Sequence, residues 1–173
     1  MKVEKLVVPI ELDARDFRNA LGSFATGVTV VTARGADGGL AGVTVNSFAS
    51  VSLDPPLVLW SLSLNTSTLA VFEQCSHYAV NVLAADQLAL SIRFAKPGDD
   101  GRENRFADLE LDFGRGGAPL LRGCCARFEC RNEKRHDGGD HLIFIGRVEA
   151  YAYRDGPPLL FQGGQYRRLA LPD

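Results

Sequence analysis

Hydrophobic and polar positions along the chain change period several times, and those changes divide it into elements. Phe17, Ala20, Leu21 and Phe24 recur at helical spacing behind Asp13, a natural cap, so the pattern predicts a first helix from Asp13 towards Gly27. "VTVVTA" then reads as a strand dense in β-branched residues. "RGADGG" turns the chain, and "LAGVTVNSFASVSL" is expected to return it as the second arm of a hairpin. Asp54, Pro55 and Pro56 punctuate that arm, and "LVLWSLS" follows as a further strand. "NTSTLAVFEQC" predicts a short helix with Asn65 or Ser67 near its cap, "HYAVNVL" a strand, and "AADQLALSIRFA" an amphipathic helix. Polar, glycine-rich residues from Lys96 to Leu121 predict loop with one helical turn. "RFECRNE" and "DHLIFIGRVEAY" are strands flanking a glycine turn, and a tail closes the chain. Many strands, few helices and no βαβ alternation predict a mostly β fold: an antiparallel β-barrel with flanking helices.

Length and composition narrow the function more than the fold. With 173 residues, the chain reads as a single domain over 1–173, with 1–12 as an N-terminal extension. Acidic and basic side chains number 21 and 19 and are scattered, so no nucleic-acid or anionic membrane partner is expected. No signal-type opening and no long apolar run appears, and a cytoplasmic location is expected. On a strand, Cys124 and Cys130 would share one face with Ala126 and Phe128, while Cys125 would face the other way. That arrangement predicts buried, reduced thiols. No Cys-x-x-Cys pair accompanies Cys130 and His136, so no metal site is expected.

The chain lacks a P-loop, a Rossmann glycine motif, a nucleophile elbow and an H-E-x-x-H pair. Small hydroxyl and amide side chains instead concentrate at Thr44, Asn46, Ser47 and Ser50, and again at Ser61, Ser63, Asn65, Thr66, Ser67 and Thr68. The second cluster sits at a helix start, where free N–H groups favour an anion. Plain capping explains the same residues equally well. His141, entering an apolar strand after "DGGD", is either a hydrogen-bonded turn residue or the edge of a site. Asp140 beside it is not expected to orient it, because neighbours along a strand point to opposite faces. His77 and His136 have no partner legible from spacing, and Tyr166 is either a lid or a core anchor.

The blocks "FRNALGSFATGVTVVTA", "GLAGVTVNSFASVSLDPPLVLWSLSLNTST", "NRF", "GDHLIFIGRVE" and "PLLFQGGQYRRL", in this order, are similar to the short-chain flavin reductases. Those proteins have an FMN-binding split barrel and serve as the reductase components of two-component flavin monooxygenases. The resemblance covers about Phe17 to Leu169. It implies a Greek-key split barrel, a homodimer, and transfer of a hydride from NADH or NADPH to FMN or FAD for a separate oxygenase. Thr44, Val45, Asn46, Ser47, Phe48, Ala49 and Ser50 would then line the flavin ring. Ser61, Leu62 and Ser63 would support ring and ribityl chain, with Asn65, Ser67 and Thr68 towards the phosphate. Arg93, Phe94 and Phe106 match further flavin-side positions. Gly139, Asp140 and His141 match a nicotinamide-site motif, with Tyr166 an aromatic over the same pocket and His141 a positioning group. Phe161 stands where many relatives have tyrosine. No arginine cluster marks a 2′-phosphate pocket, so NADH is expected over NADPH. The same barrel used as a non-catalytic flavin- or haem-binding module is the alternative, against which the Gly-Asp-His triplet speaks.

Overall fold

The structure, a computed structural model, describes residues 13–96 and 104–169, so the N-terminal extension lies outside the described residues. Asp13 caps helix α1 (Ala14–Leu21) by accepting from the amides of Arg15 and Asp16. The helix stops five residues short of Gly27, and Phe24 lies beyond it. A short strand β1 (Thr26–Gly27) leads into β2 (Thr29–Arg34), β3 (Leu40–Val45), β4 (Ala49–Leu53) and β5 (Pro56–Ser63). Helix α2 (Leu69–Gln74), strand β6 (His77–Val82) and helix α3 (Leu88–Ala95) follow. The chain continues through β7 (Leu111–Phe113), β8 (Pro119–Leu121), β9 (Ala126–Asp137), β10 (His141–Tyr153), β11 (Leu160–Gln162) and β12 (Gln165–Arg167).

Seven of these strands make one antiparallel sheet in the order β3-β2-β6-β9-β10-β5-β4. Its two edge strands, β3 and β4, are consecutive in the chain and are joined by Asn46–Phe48 alone. So short a link reaches only on the order of 14 Å at full extension. The sheet must therefore curl until its edges meet, and the expected split barrel results. One expectation is corrected: residues 40–53 are not a single hairpin arm. The chain breaks at Asn46 and crosses from one edge of the sheet to the other.

Burial follows from the curl. Strand β2 is buried on both faces, which explains why "VTVVTA" shows no polar alternation. Val31 and Ala33 join the interior with Trp60, Phe72, Tyr78 and Phe144. Val28 and Val30 belong to an outer core with Leu83, Phe94, Phe106 and Leu121. Trp60 and Phe144, cross-strand partners, stack at 4.5 Å between centroids and are fully buried. Each such ring contributes about 1.5–3 kcal/mol through burial.

Two small ladders were not legible in the sequence. β7 and β8 pair within the segment read as loop, and β11–β12 form a hairpin within the tail and pair with β1. Buried Asn81 holds the first of these in place. Its Nδ2 donates to the Val30 carbonyl and the Thr32 hydroxyl, and its Oδ1 accepts from the Leu121 amide. Cys124 and Cys125 both precede β9 and both are buried, so the expected alternation of these two residues fails. All four cysteines are free. No described helix is long and apolar enough to cross a membrane.

Candidate functional site

At the barrel's seam a side chain hydrogen-bonds across the gap. Ser47 Oγ accepts from the Ser61 amide at 2.9 Å and lies 3.3 Å from the Ser61 carbonyl, to which it can donate. One hydroxyl thus replaces a rung of ladder where β3 and β5 do not pair. A cleft of about 490 Å³ opens beside it. Thr44, Val45, Asn46 and Ser47 form one wall, and Ser61, Leu62 and Ser63 form the other. The β5–β10 register pairs His141 with Ser63, which sets the imidazole on the rim.

The turn carrying His141 is tied from several directions. The Gly138 amide donates to the His141 carbonyl at 2.9 Å, and the Gly139 amide donates to Asp137 Oδ1 at 3.0 Å. The Leu64 amide donates to the Asp140 carbonyl at 3.0 Å, joining the turn to the end of β5. Gly139 has φ 81°, a left-handed conformation that a residue with a Cβ rarely adopts. Asp140 corrects a second expectation. It lies in the turn, before the strand begins, and its Oδ1 sits 2.7 Å from His141 Nδ1. The alternation rule does not apply there. The hydrogen bond from His141 holds the Asp140 carboxyl below the usual carboxylate range.

A second, smaller cleft of about 180 Å³ lies against the same residues, Thr44, Val45 and Asn46. Val28, Ala95 and Phe161 give it an apolar lining, and Tyr166 and Ser91 add hydroxyls. Tyr166 Oη lies 2.8 Å from Ser91 Oγ, and Thr44 Oγ1 donates to the Ser91 carbonyl at 2.8 Å. Tyr166 is thus latched to α3 and borders this cleft, whereas His141 borders the larger one.

The remaining candidates are more dispersed. Phe48 packs on Phe128 at 5.5 Å, and Ala49 and Ser50 lie exposed on β4. Asn65 and Ser67 are exposed. Thr68 is buried at the N-cap of α2, makes no side-chain cap bond, and its hydroxyl has no partner among the described residues. Simple capping therefore does not account for it. Arg93 donates to the Ala107 carbonyl. Phe94 and Phe106 meet edge-to-face at 5.0 Å inside the outer core and line neither cleft. His77, for which no partner was foreseen, lies 3.2 Å from Glu149 Oε2.

Val43, Gly138, Ile143 and Ser91 line the clefts without having been singled out, and Thr66, named with the second hydroxyl cluster, lines the larger one. Ile143 lies two residues after His141 and was legible from strand alternation. Ser91 was not, since nothing local marks a serine that meets a residue 75 positions later.

No lysine or arginine lines either cleft among the described residues. Hydroxyls, carboxamide and backbone groups beside flat apolar walls suit a planar heterocycle with polar edges. Residues 21–170 match the flavin reductase like domain. The chain belongs to that family. It is 49% identical over 170 residues to the FMN reductase (NADH) SmoA of Agrobacterium fabrum, covering 98% of this chain and 94% of the relative. The reductase subunit HsaB of a flavin-dependent monooxygenase from Rhodococcus jostii is 40% identical over 156 residues, covering 90% and 77%. The NADH:FAD oxidoreductase SgcE6 of Streptomyces globisporus, solved in complex with NAD and FAD fragments, superposes with TM-score 0.86. It is 37% identical and covers 96% of this flavin reductase like chain and 98% of its own.

Proposed function

We propose that this protein is an NADH-dependent flavin reductase that reduces FMN or FAD for a separate oxygenase component. The observation that carries this reading is convergence at one cleft. The Asn46–Phe48 crossover, the end of β5 and the Gly-Asp-His turn come from three distant parts of the chain and meet at the barrel seam. The relatives named as an NADH-dependent FMN reductase and as the reductase subunit of a flavin-dependent monooxygenase support it.

In this reading Thr44 to Ser50 and Ser61 to Ser63 hold the flavin ring and ribityl chain. Asn65, Ser67 and Thr68 hold the phosphate end, where the unpartnered Thr68 hydroxyl is a fitting donor. Arg93, Phe94 and Phe106 are assigned to the flavin side, Phe94 and Phe106 packing behind β3 at Gly42. Gly139, Asp140 and His141 position the nicotinamide at the larger cleft, and Tyr166 borders the adjoining cleft across Thr44, Val45 and Asn46. The two cofactors supply the redox chemistry themselves, so the protein's task is to align and shield them. That no lysine or arginine lines either cleft among the described residues favours NADH over NADPH, whose additional phosphate calls for a guanidinium or ammonium group. We further propose a homodimer in the cytoplasm. Helix α1 buries none of its residues in the single chain, and Phe17 and Leu21 are exposed on it.

The test is anaerobic mixing of the purified protein with NADH and FMN, then FAD, following the visible absorbance of the oxidised flavin. Bleaching is expected. Its absence with either flavin and either nicotinamide would remove the reductase reading.

A further inference from the structure

From the turn at the cleft rim we infer that Asp140 is a positioning residue. It fixes His141 in the Nδ1–H tautomer, so that Nε2 faces the cleft as a hydrogen-bond acceptor for an N–H donor of the ligand, the carboxamide –NH2 of a nicotinamide. The inference rests on the reductase reading for the ligand's identity; the tautomer stands first on the Asp140–His141 geometry.

Three observations carry it. First, Asp140 Oδ1 lies 2.7 Å from His141 Nδ1, the length of a strong, charge-assisted bond. A carboxylate only accepts, so the nitrogen facing it must carry the hydrogen. The neutral ring has one N–H, and its other nitrogen is then a lone-pair acceptor.

Second, the carboxylate is ionised across the neutral range, since the bond from His141 lowers its titration. Nε2 has no protein partner among the described residues, and His141 lines the cleft.

Third, the backbone that carries the pair is held on both sides, although the Asp140 side chain itself is 89% exposed. The Leu64 amide grips the Asp140 carbonyl, the His141 carbonyl accepts from the Gly138 amide, and ladder pairing sets His141 opposite Ser63. Backbone bonds thus fix the main chain from which both side chains of the short pair project. An imidazole left alone favours the opposite tautomer, with Nε2 protonated. It would then present a donor to the ligand's –NH2, and two donors repel. Asp140 reverses that preference without itself touching the ligand.

The inference predicts a selective effect. Nitrogen-15 labelling of histidine, read by two-bond proton–nitrogen correlation on the full-length protein, should show His141 protonated at Nδ1. Asp140→Ala should shift it to the Nε2–H form, and Asp140→Asn, whose carbonyl still accepts, should restore most of the Nδ1–H form. Kinetically, Asp140→Ala should raise the KM for NADH about fivefold, the value of one lost hydrogen bond, with the KM for flavin unchanged. The reduced 3-acetylpyridine analogue carries a methyl in place of the –NH2. With it the same variant should change KM less than about twofold, since there is no N–H to receive.

An unchanged His141 tautomer in Asp140→Ala would overturn the inference, as would an equal KM effect on both dinucleotides. A wild-type protein showing the Asp140-dependent Nδ1–H tautomer but no flavin bleaching would instead overturn the reductase reading, and with it the ligand assigned to Nε2. The two failures are distinguishable.

Discussion

Ser47 and Gly42 show how single residues set the barrel's seam and its outer core. The Ser47 hydroxyl is the only side-chain bridge among the described residues between the Asn46–Phe48 crossover and β5. Ser47→Ala leaves the Ser61 amide without its acceptor, which costs about 1–2 kcal/mol and loosens the cleft wall. Urea titration should show that loss together with weaker FMN binding; an unchanged midpoint would mean water replaces the hydroxyl fully. Gly42 lies beneath the Phe94 ring, and a Cβ added there would stand 2.5 Å from Phe94 Cε1 and 3.0 Å from Phe106 Cζ. Gly42→Ala should therefore destabilise the protein by about 1–3 kcal/mol through overpacking, again read from the urea midpoint. His141→Ala acts differently. It should raise the KM for NADH strongly and leave flavin affinity nearly intact, as steady-state kinetics and flavin titration would show. Unchanged kinetics would refute the positioning role.

At the scale of elements, β6, β9 and β10 are cross-linked by charge as well as by ladder. Glu149 on β10 accepts from Arg131 Nε on β9 at 2.7 Å and faces His77 on β6. The Arg131 hydrogen bond, above all, holds the Glu149 carboxyl below the usual range. A depressed carboxyl stabilises the fold above its ordinary pKa, and that contribution is lost as pH falls through the lowered value. Glu149→Gln should thus lower the urea midpoint at about pH 7, and the gap from wild type should close in strong acid. A constant gap at all pH values would show that packing, not charge, is responsible. Burial silences the thiols of Cys130 on β9, Cys124 just before it and Cys75 at the end of α2. It pushes Cys75 and Cys124 up to about 11 and Cys130 up to about 12. None of the three should react with a disulfide reagent at about pH 8 until denaturant is added, because the thiolate is the reactive form. Reaction at native-state rates would show that the strands open.

At the scale of the molecule, several large apolar side chains remain exposed in the single chain, among them Phe24, Leu53 and Tyr153 at 78%, 93% and 78%. So much apolar surface on a chain this size fits a partner of its own kind. Sedimentation velocity should give the mass of two chains, and a monomer at micromolar concentration would sink the dimer proposal.

What the sequence determined by itself was local. β-branched runs, turn residues and proline placement marked β2, β5, β6, β9 and β10. Asp13 marked the start of α1, and the Gly-Asp-His turn was visible as an exception within an apolar run. These features depend on neighbours in the chain, whose chemistry is printed next to them. Tertiary structure decided the rest. Nothing within residues 40–53 says that β3 and β4 part to opposite edges of the sheet, because the separation exists only once five other strands lie between them. The β7–β8 ladder depends on Asn81, some 40 residues away. The Ser91–Tyr166 latch joins residues 75 positions apart. The Asp140–His141 bond was hidden for a subtler reason: it depends on the strand starting one residue later than the pattern implied. The cleft belongs to this second class. It is the gap left when a sheet curls fully round without completing its last ladder, so its walls come from segments that only the closed fold brings together.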